Sequence, residues 1–84
     1  MKKPYTVFIT GASEGIGASI AKTLCSHGLN VFAFARREPK LHNLKTSCSN
    51  MSGNLDFFAG DVTSNDDLQK ASKLCLSRFG NLDI

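Results

Sequence analysis

Apolar residues along the 84-residue chain occur in short continuous runs that are separated by stripes at helical spacing. The runs cover residues 5–10 (YTVFIT), 30–35 (NVFAFA) and 55–59 (LDFFA). Unbroken β-branched and aromatic runs of this length are typical of strands buried on both faces of a parallel sheet. A further apolar run begins at residues 82–84 (LDI), so the pattern predicts three strands and the start of a fourth.

The segment after the first run has the spacing and the end signal of a helix. From Gly15 onward, Ile16, Ile20 and Leu24 form an i, i+4, i+8 stripe, with Ala21 and Cys25 between them. The stripe stops at Gly28, and glycine is a common residue just beyond a helix end. The pattern therefore predicts a first helix between residues 15 and 28.

Two more helices are predicted from the segments after the second and third runs. In residues 38–54, Pro39 fits a first helical turn, and the polar sequence that follows predicts a short helix and then a loop. Ser64 followed by two aspartates has the features of an N-cap with an acidic first turn, and the third helix is expected to end at Gly80. Its apolar positions are Leu68, Ala71, Cys75 and Phe79.

Alternation of strands and helices determines the expected fold class. It implies right-handed crossovers and a parallel sheet with helices on both faces. We therefore predict half of a doubly wound, Rossmann-type α/β domain spanning residues 1–84. The run at 82–84 should pair next to the first strand, and because the chain stops inside it we expect an incomplete domain from a longer protein. Without further chain, the first strand would be a near-edge strand and an aggregation site.

Charge and aromatic positions argue against a nucleic-acid-binding protein. The net charge is +3, from ten Lys and Arg against seven Asp and Glu. The six phenylalanines fall largely in the strand-like runs, where core packing explains them, and not on a basic face. The basic residues are scattered apart from two groups, which are Lys2 and Lys3, and Arg36, Arg37, Lys40 and Lys45.

Cysteine usage favours a cytoplasmic protein. Cys25, Cys48 and Cys75 form no C-x-x-C pair and have no zinc-site spacing, so we expect free thiols and no metal site. Cys25 and Cys75 fall at helical positions beside leucines and are interpreted as small buried thiols. The apolar runs are also far shorter than the roughly 18 residues that a membrane-spanning helix needs.

Three glycines cluster in the sequence TGASEGIG at the predicted turn between the first strand and the first helix. Unpaired N–H groups and the positive end of the helix dipole meet at such a turn, so it can bind an anion. A phosphate can approach only where no Cβ intervenes, and the helix can pack close to the sheet only if its first turn is small, so Gly11, Gly15 and Gly17 serve two separate duties between them. The alternative is a tight turn that binds nothing. A P-loop is disfavoured because no Gly-Lys-Ser/Thr triplet is present.

The chain resembles the short-chain dehydrogenase/reductase family in three motifs. These are TGASEGIG after the first strand, ARR after the second and GDVT after the third, and the likeness extends from Tyr5 to the closing FGNLDI. In that family the matching glycine turn holds the pyrophosphate of a dinucleotide cofactor. The resemblance implies contacts at Gly11, Ser13, Gly15, Ile16 and Gly17.

The residues after the second strand bear on the choice of cofactor. A carboxylate at the end of this strand would bind the ribose 2′-hydroxyl of NAD, but Ala35 occupies the position and Arg36 and Arg37 follow. A guanidinium can bind two oxygens of a 2′-phosphate, so NADP(H) is favoured over NAD(H), with Arg36 ahead of Arg37. The alternative is a pair of solvated arginines. Glu14 departs from the family pattern, in which NADP-preferring members often carry a basic residue just before the second glycine.

The resemblance also implies an adenine site after the third strand, where Asp61 would accept from the adenine amino group and Val62 would line the pocket. Taken alone, Asp61 fits a loop or helix-capping role equally well. The catalytic serine, tyrosine and lysine of the family have no counterpart, since Tyr5 is followed four residues later by Ile9. The two histidines, His27 and His42, are expected at the surface.

The predicted function is the cofactor-binding part of an NADP(H)-dependent oxidoreductase that acts on a carbonyl or alcohol. For the full-length protein we expect a homo-oligomer. A non-catalytic NADP-binding or regulatory protein can use the same fold and is the alternative.

Overall fold

The computed structural model describes residues 4–84, in which three strands alternate with three helices. The strands form a parallel sheet in the order β1-β2-β3. This order of elements confirms the predicted α/β fold class. Lys2 and Lys3 lie outside the described residues. The elements are β1 Thr6–Thr10, α1 Gly15–Ser26, β2 Asn30–Ala35, α2 Glu38–Ser47, β3 Asn54–Ala59 and α3 Asn65–Phe79.

The residues of β2 alternate between the two faces of the sheet. Val31, Ala33 and Ala35 join the core that contains the buried residues of α1 and α2. Phe32 and Phe34 point to the other face, where they pack with Ala71 and Cys75 of α3. The alternation places α1 and α2 on one face and α3 on the other, as right-handed crossovers require.

Phenylalanine rings form a layer on the α3 face. The ring centroids of Phe8 and Phe32 are 5.4 Å apart, and those of Phe34 and Phe58 are 6.0 Å apart. Since each strand contributes at least one ring, the layer ties β1, β2 and β3 together. Core packing is therefore the role of these aromatics, as the sequence pattern indicated.

Helix α1 packs on the sheet through only part of the predicted stripe. Ile16 is 80% exposed and Ile20 is 47% exposed, whereas Ala21 and Cys25 are fully buried. A Cβ on Gly17 would collide with the backbone oxygen of Gly11 and lie 3.1 Å from the Cα of Ala12. The helix therefore approaches the sheet through its small residues, with Leu24 at the margin of the core, and the two isoleucines are turned away.

Helix α3 has the ends that the sequence predicted. The Ser64 hydroxyl accepts a hydrogen bond of 3.2 Å from the backbone N–H of Asp67, which is an N-cap interaction. At the other end Gly80 adopts the left-handed conformation, and its N–H donates to the carbonyl of Leu76.

Polar side chains form a row across the amino ends of the three strands. Thr6, Asn30 and Asn54 are register partners on β1, β2 and β3. The side-chain amide of Asn30 donates to the Thr6 hydroxyl at 3.4 Å, and the side-chain amide of Asn54 donates to Oδ1 of Asn30 at 3.3 Å. On the other side of Thr6, its hydroxyl donates to Asn81 and its N–H donates to the Asp83 carboxylate, each at 2.9 Å. We call these five residues the amino-end row.

Residues 82–84 lie beside β1 on the side away from β2. The N–H of Asp83 donates to the Thr6 carbonyl at 3.0 Å, and the N–H of Phe8 donates to the Ile84 carbonyl at 2.6 Å. The predicted pairing next to the first strand is thus present as backbone hydrogen bonds, although these residues are not in a regular strand.

Asp56 of β3 lies between cations from both faces. Its carboxylate is 3.1 Å from the Arg78 guanidinium of α3 and 3.5 Å from the Lys45 ammonium of α2, and only 14% of the side chain is exposed. Asp56 is the register partner of Phe32, so it points to the α3 face. Lys45 must therefore pass around the outer edge of β3 to reach it.

The three cysteines are buried free thiols. Burial, together with neighbouring Cys48, raises the pKa of Cys25 to about 11. Burial and the nearby Asp56 charge also raise the pKa of Cys75. Thiolates form with difficulty at both positions, which confirms the interpretation of these two residues as packed thiols. Within residues 4–84, the helices lack the length and apolar character needed for a bilayer crossing.

Candidate functional site

The turn between β1 and α1 leaves open space beside its backbone. Gly11 has φ +66° and Gly15 has φ +64°, a region that side chains other than glycine rarely adopt. A Cβ built at either position would meet no atom within 4 Å. These two glycines are therefore required by backbone conformation, and the space next to them is free for a ligand.

The first turn of α1 has unsatisfied donors. Its N-cap residue, Glu14, makes no side-chain capping bond, and no acidic residue lies in the first turn. Helix α3, in contrast, has Ser64 as a cap and Asp66 and Asp67 in its first turn. The start of α1 therefore presents backbone N–H groups and the positive end of the helix dipole with no capping side chain and no acidic residue in its first turn.

The third glycine of the turn acts through packing. Because a Cβ on Gly17 would strike the backbone of residues 11 and 12, Gly17 lets α1 begin directly behind the turn. The N–H of Gly11 also donates to the Phe34 carbonyl at 2.9 Å, which anchors the turn to β2. The predicted division of the glycines between open backbone and close packing is present.

A cleft of about 330 Å³ lies at the carboxyl ends of the strands. It brings together residues from all three sequence motifs. Five of the predicted residues line it, which are Gly11, Ser13, Arg36, Arg37 and Val62. The other four predicted residues, Gly15, Ile16, Gly17 and Asp61, lie outside its wall. Its remaining lining residues are Glu14, Phe34, Ala35 and Gly60.

The lining by Phe34 and Gly60 was not predicted from the sequence. Phe34 is the register partner of Thr10, the last residue of β1, and the N–H of Gly60 donates to the Ala35 carbonyl at 2.8 Å. Both residues therefore reach the cleft through strand pairing. In the sequence, the only indication of these two lining residues was the general rule that ligands bind at the carboxyl ends of parallel strands.

Arg36 and Asp61 form an ion pair at the cleft mouth. The guanidinium lies 3.2 Å from Oδ1 of Asp61, and the two side chains are 72% and 43% exposed. Oδ1 also accepts from the N–H and the hydroxyl of Thr63, at 2.9 and 2.8 Å. These two bonds from Thr63, and then Arg36, hold the pKa of Asp61 below its ordinary value. Asp61 thus has a turn-forming role in addition to its place beside the cleft.

Glu14 is paired with two cations of the next βα segment. Its carboxylate lies 2.6 Å from the ammonium of Lys40 in α2 and 3.8 Å from the guanidinium of Arg37. The hydrogen bond and charge of Lys40 lower the pKa of Glu14, with a smaller effect from Arg37. The cleft region therefore contains the cations of Arg36, Arg37 and Lys40 against the carboxylates of Glu14 and Asp61.

Tyr5 and the histidines lie away from this cleft. Tyr5 and His27 border a separate depression at the amino end of the sheet, together with Pro4, Gly28 and Leu29. His42 is exposed on α2, with its ring edge-on to Phe57 at a centroid distance of 4.8 Å. Both histidines are exposed, as expected. In the described part of the chain, no three His, Cys, Asp or Glu side chains cluster as metal ligands.

Curated relatives match most of this chain. The Listeria monocytogenes oxidoreductase Lmo0432 is 36% identical over 81 residues, which cover 96% of this chain and 33% of that protein. The A-factor type gamma-butyrolactone 1′-reductase (1S-forming) of Streptomyces virginiae is 36% identical over 75 residues, covering 89% of this chain and 29% of the reductase. The chain thus spans about a third of the length of these curated relatives.

Solved structures show the same architecture. The L-sorbose reductase of Gluconobacter frateurii, complexed with NADPH and L-sorbose, matches with a TM-score of 0.87 and 28% identity over 94% of this chain and 30% of that chain. Further matched structures also hold NADPH or NADP. Residues 5–84 match the family described as short chain dehydrogenase. This chain therefore belongs to the short-chain dehydrogenase family of oxidoreductases.

Proposed function

We propose that this chain is the N-terminal cofactor-binding part of an NADP(H)-dependent oxidoreductase that acts on a carbonyl or an alcohol. The observation that carries the proposal is the cleft in which an uncapped helix start, bare glycine backbone and two arginines meet. The NADPH and NADP complexes among the matched structures support the choice of cofactor.

The pyrophosphate is assigned to the glycine turn. Gly11 and Gly15 offer open backbone, and the N–H groups at Ile16 and Gly17 open α1. Ser13 lines the cleft together with Gly11 and can donate its hydroxyl. Gly17 contributes mainly by letting the helix approach. These are the groups that a dinucleotide pyrophosphate needs, so the turn fits this part of the cofactor.

The 2′-phosphate is assigned to Arg36, with Arg37 beside it. Both side chains line the cleft and are largely exposed, so they can turn toward a ligand. Ala35 leaves the end of β2 without the carboxylate that would bind a 2′-hydroxyl and repel a phosphate. A guanidinium binds two phosphate oxygens at once, which favours NADP(H) over NAD(H).

The adenine is assigned to the end of β3. Asp61 has a carboxylate that can accept from the adenine amino group, and exposed Val62 offers an apolar wall. Arg36 is paired with Asp61 in the free protein. Contact of Arg36 with the 2′-phosphate, or of Asp61 with the adenine amino group, would therefore replace part of that ion pair. Binding would thus exchange one set of charged contacts for another.

The bound cofactor would supply hydride chemistry to a substrate carbonyl or alcohol. The groups that move the proton are assigned to residues outside this chain, as is the substrate site. We further propose a homo-oligomer for the full-length protein, and a cytoplasmic location because the thiols are free.

Cofactor affinity tests this function directly. In the full-length protein, NADPH should bind more tightly than NADH in a fluorescence titration. Arg36→Ala should weaken NADPH binding by roughly 10- to 100-fold and leave NADH nearly unchanged, because a charge-assisted hydrogen bond contributes about 1.5–3 kcal/mol. Arg78→Ala is the matched control, since it removes an exposed arginine whose partner is Asp56. An unchanged cofactor preference in Arg36→Ala would refute the role of Arg36.

Oxidation of NADPH separates the catalytic proposal from a regulatory one. The full-length protein is expected to consume NADPH in the presence of aldehyde or ketone substrates. The alternative outcome is tight NADPH binding with no turnover, either of NADPH with a panel of carbonyl compounds or of NADP with alcohols. That result would favour a non-catalytic NADP-binding protein.

A further inference from the structure

Glu14 occupies a position that conflicts with a phosphate ligand. It lines the same cleft as Arg36 and Arg37, so the inference below rests on the proposed 2′-phosphate site. A free carboxylate there would repel a dianionic phosphate at short range. It would also compete with the phosphate for Arg37, whose guanidinium already lies 3.8 Å from it.

Lys40 holds this carboxylate from outside the cleft. Its ammonium lies 2.6 Å from Oε2 of Glu14, although Lys40 does not line the cleft. Lys40 stands in the first turn of α2, directly after Pro39, which fits the beginning of a helix. The pair therefore joins the glycine turn to the start of α2, between residues that are 26 positions apart in the sequence.

We propose that Lys40 is a positioning residue that sets the preference for NADP(H), by neutralising Glu14 and drawing its carboxylate away from the 2′-phosphate. Two effects follow from the geometry and act in the same direction. Lys40 offsets the negative charge in the cleft wall, and it leaves Arg37 free to turn toward the ligand. Without Lys40, Glu14 would repel the phosphate and bind Arg37 more strongly.

The lowered pKa of Glu14 agrees with this arrangement. The hydrogen bond from Lys40 and its charge are the two largest causes of the lowered value, ahead of Arg37. Glu14 is therefore ionised at neutral pH, so it carries the negative charge that Lys40 offsets. Both side chains are partly exposed, so the effect of the pair should weaken as salt rises.

The test is a double-mutant cycle on cofactor affinity in the full-length protein. Dissociation constants for NADPH and NADH are measured for the wild type, Lys40→Met, Glu14→Gln and the double variant, at low salt and at 150 mM salt. Lys40→Met should weaken NADPH binding by about 3- to 10-fold at low salt, with NADH within about twofold. Adding Glu14→Gln should restore NADPH affinity, because the released carboxylate is then absent.

Lys45→Met is the matched control. Lys45 lies on the same helix and also pairs with a carboxylate, but its partner is Asp56 at the outer edge of β3. Its NADPH affinity should stay at the wild-type value, and melting temperatures without ligand show whether each variant is folded.

Different outcomes separate the inference from the proposed function. A double variant that binds NADPH as weakly as Lys40→Met would mean that Lys40 contacts the phosphate itself, which overturns the positioning role. Unchanged NADPH affinity in Lys40→Met also overturns the positioning role. In either case the proposed function stands as long as the wild type prefers NADPH to NADH. A wild type without that preference overturns both.

Discussion

The two ends of the parallel sheet use polar residues in opposite ways. At the amino end, short side chains bond to one another across the strands, and Thr6 and Asn30 are buried. At the carboxyl end, long charged side chains form ion pairs that remain largely exposed. The polar side chains at the amino end of the sheet are therefore bonded to one another, whereas those at the carboxyl end are open to solvent and to a ligand.

The difference separates stability from binding. A buried hydrogen bond is costly to break because its donor or acceptor is left without water. An exposed ion pair contributes little, so a ligand can replace it at low cost. Residues of the amino-end row are thus expected to affect folding alone, and those of the cleft to affect cofactor affinity.

Substitution of Gly17 or Gly53 by alanine should have the largest effect on stability. Gly17 lies at the carboxyl end of the sheet and Gly53 at the amino end. A Cβ on Gly17 would strike the Gly11 carbonyl oxygen, and a Cβ on Gly53 would strike the Leu29 carbonyl oxygen and lie 2.6 Å from that of Cys25. Alanine at either position should lower the free energy of unfolding by about 1–3 kcal/mol or more, measured by urea denaturation. Only Gly17→Ala should also weaken NADPH binding, because only Gly17 supports the turn.

Gly11→Ala is the comparison for these two variants. Its Cβ would meet open space, so its cost is limited to backbone strain of roughly 1–2 kcal/mol. Equal NADPH affinity in Gly17→Ala and Gly53→Ala would contradict the inference that the amino end of the sheet serves stability and the carboxyl end serves cofactor binding.

Asn30→Ala should have a smaller effect, confined to stability. It removes the middle residue of the amino-end row and with it the bonds to Thr6 and Asn54. We expect a loss of about 1–2 kcal/mol in the free energy of unfolding and NADPH affinity within twofold of the wild type. Asn43→Ala on the exposed side of α2 is the control. A change in cofactor affinity comparable to that of Arg36→Ala would argue against the comparison.

The smallest expected effect is on the acid side of the stability profile. The pKa values of Asp61 and Glu14 are lowered in the folded protein. Each carboxylate therefore adds stability above its unfolded pKa, and this contribution is lost as pH falls through the folded value. The fall in urea midpoint between pH 6 and pH 3 should be slightly smaller in Asp61→Asn than in the wild type. A steeper fall would contradict the sign, and Asp66→Asn is the control outside the cleft.

Strand positions could be predicted from the sequence because burial leaves a strong signal. The run NVFAFA matches β2 at both ends, since both of its faces are covered and every residue is buried. The packing face of α1 was predicted only in part, because the stripe joined Ala21 and Cys25, which are buried, to Ile16 and Ile20, which are exposed. Hydrophobicity favours Ile16 and Ile20, whereas close approach to the sheet favours the small residues Gly17, Ala21 and Cys25.

The site was predictable in its motifs and not in its charge pairing. The glycine turn and Arg36 follow from their positions at strand ends, which the alternating pattern supplies. The pair of Glu14 with Lys40 joins two surface residues that no periodicity relates, so only the fold brings them together. Asn30 and Asn54 were missed for a similar reason, because single polar residues at strand starts carry no register signal.

The path of Lys45 around β3 affects how this sheet meets other molecules. Outer strands expose unpaired N–H and C=O groups, which other chains can extend into a larger sheet. Asp56 points inward from this strand, and the Lys45 side chain crosses the strand to reach it. An incoming strand would have to displace that side chain and strip a partner from a carboxylate that is only 14% exposed. Beyond its role in packing, this ion pair makes the outer edge of the sheet a poor template for aggregation.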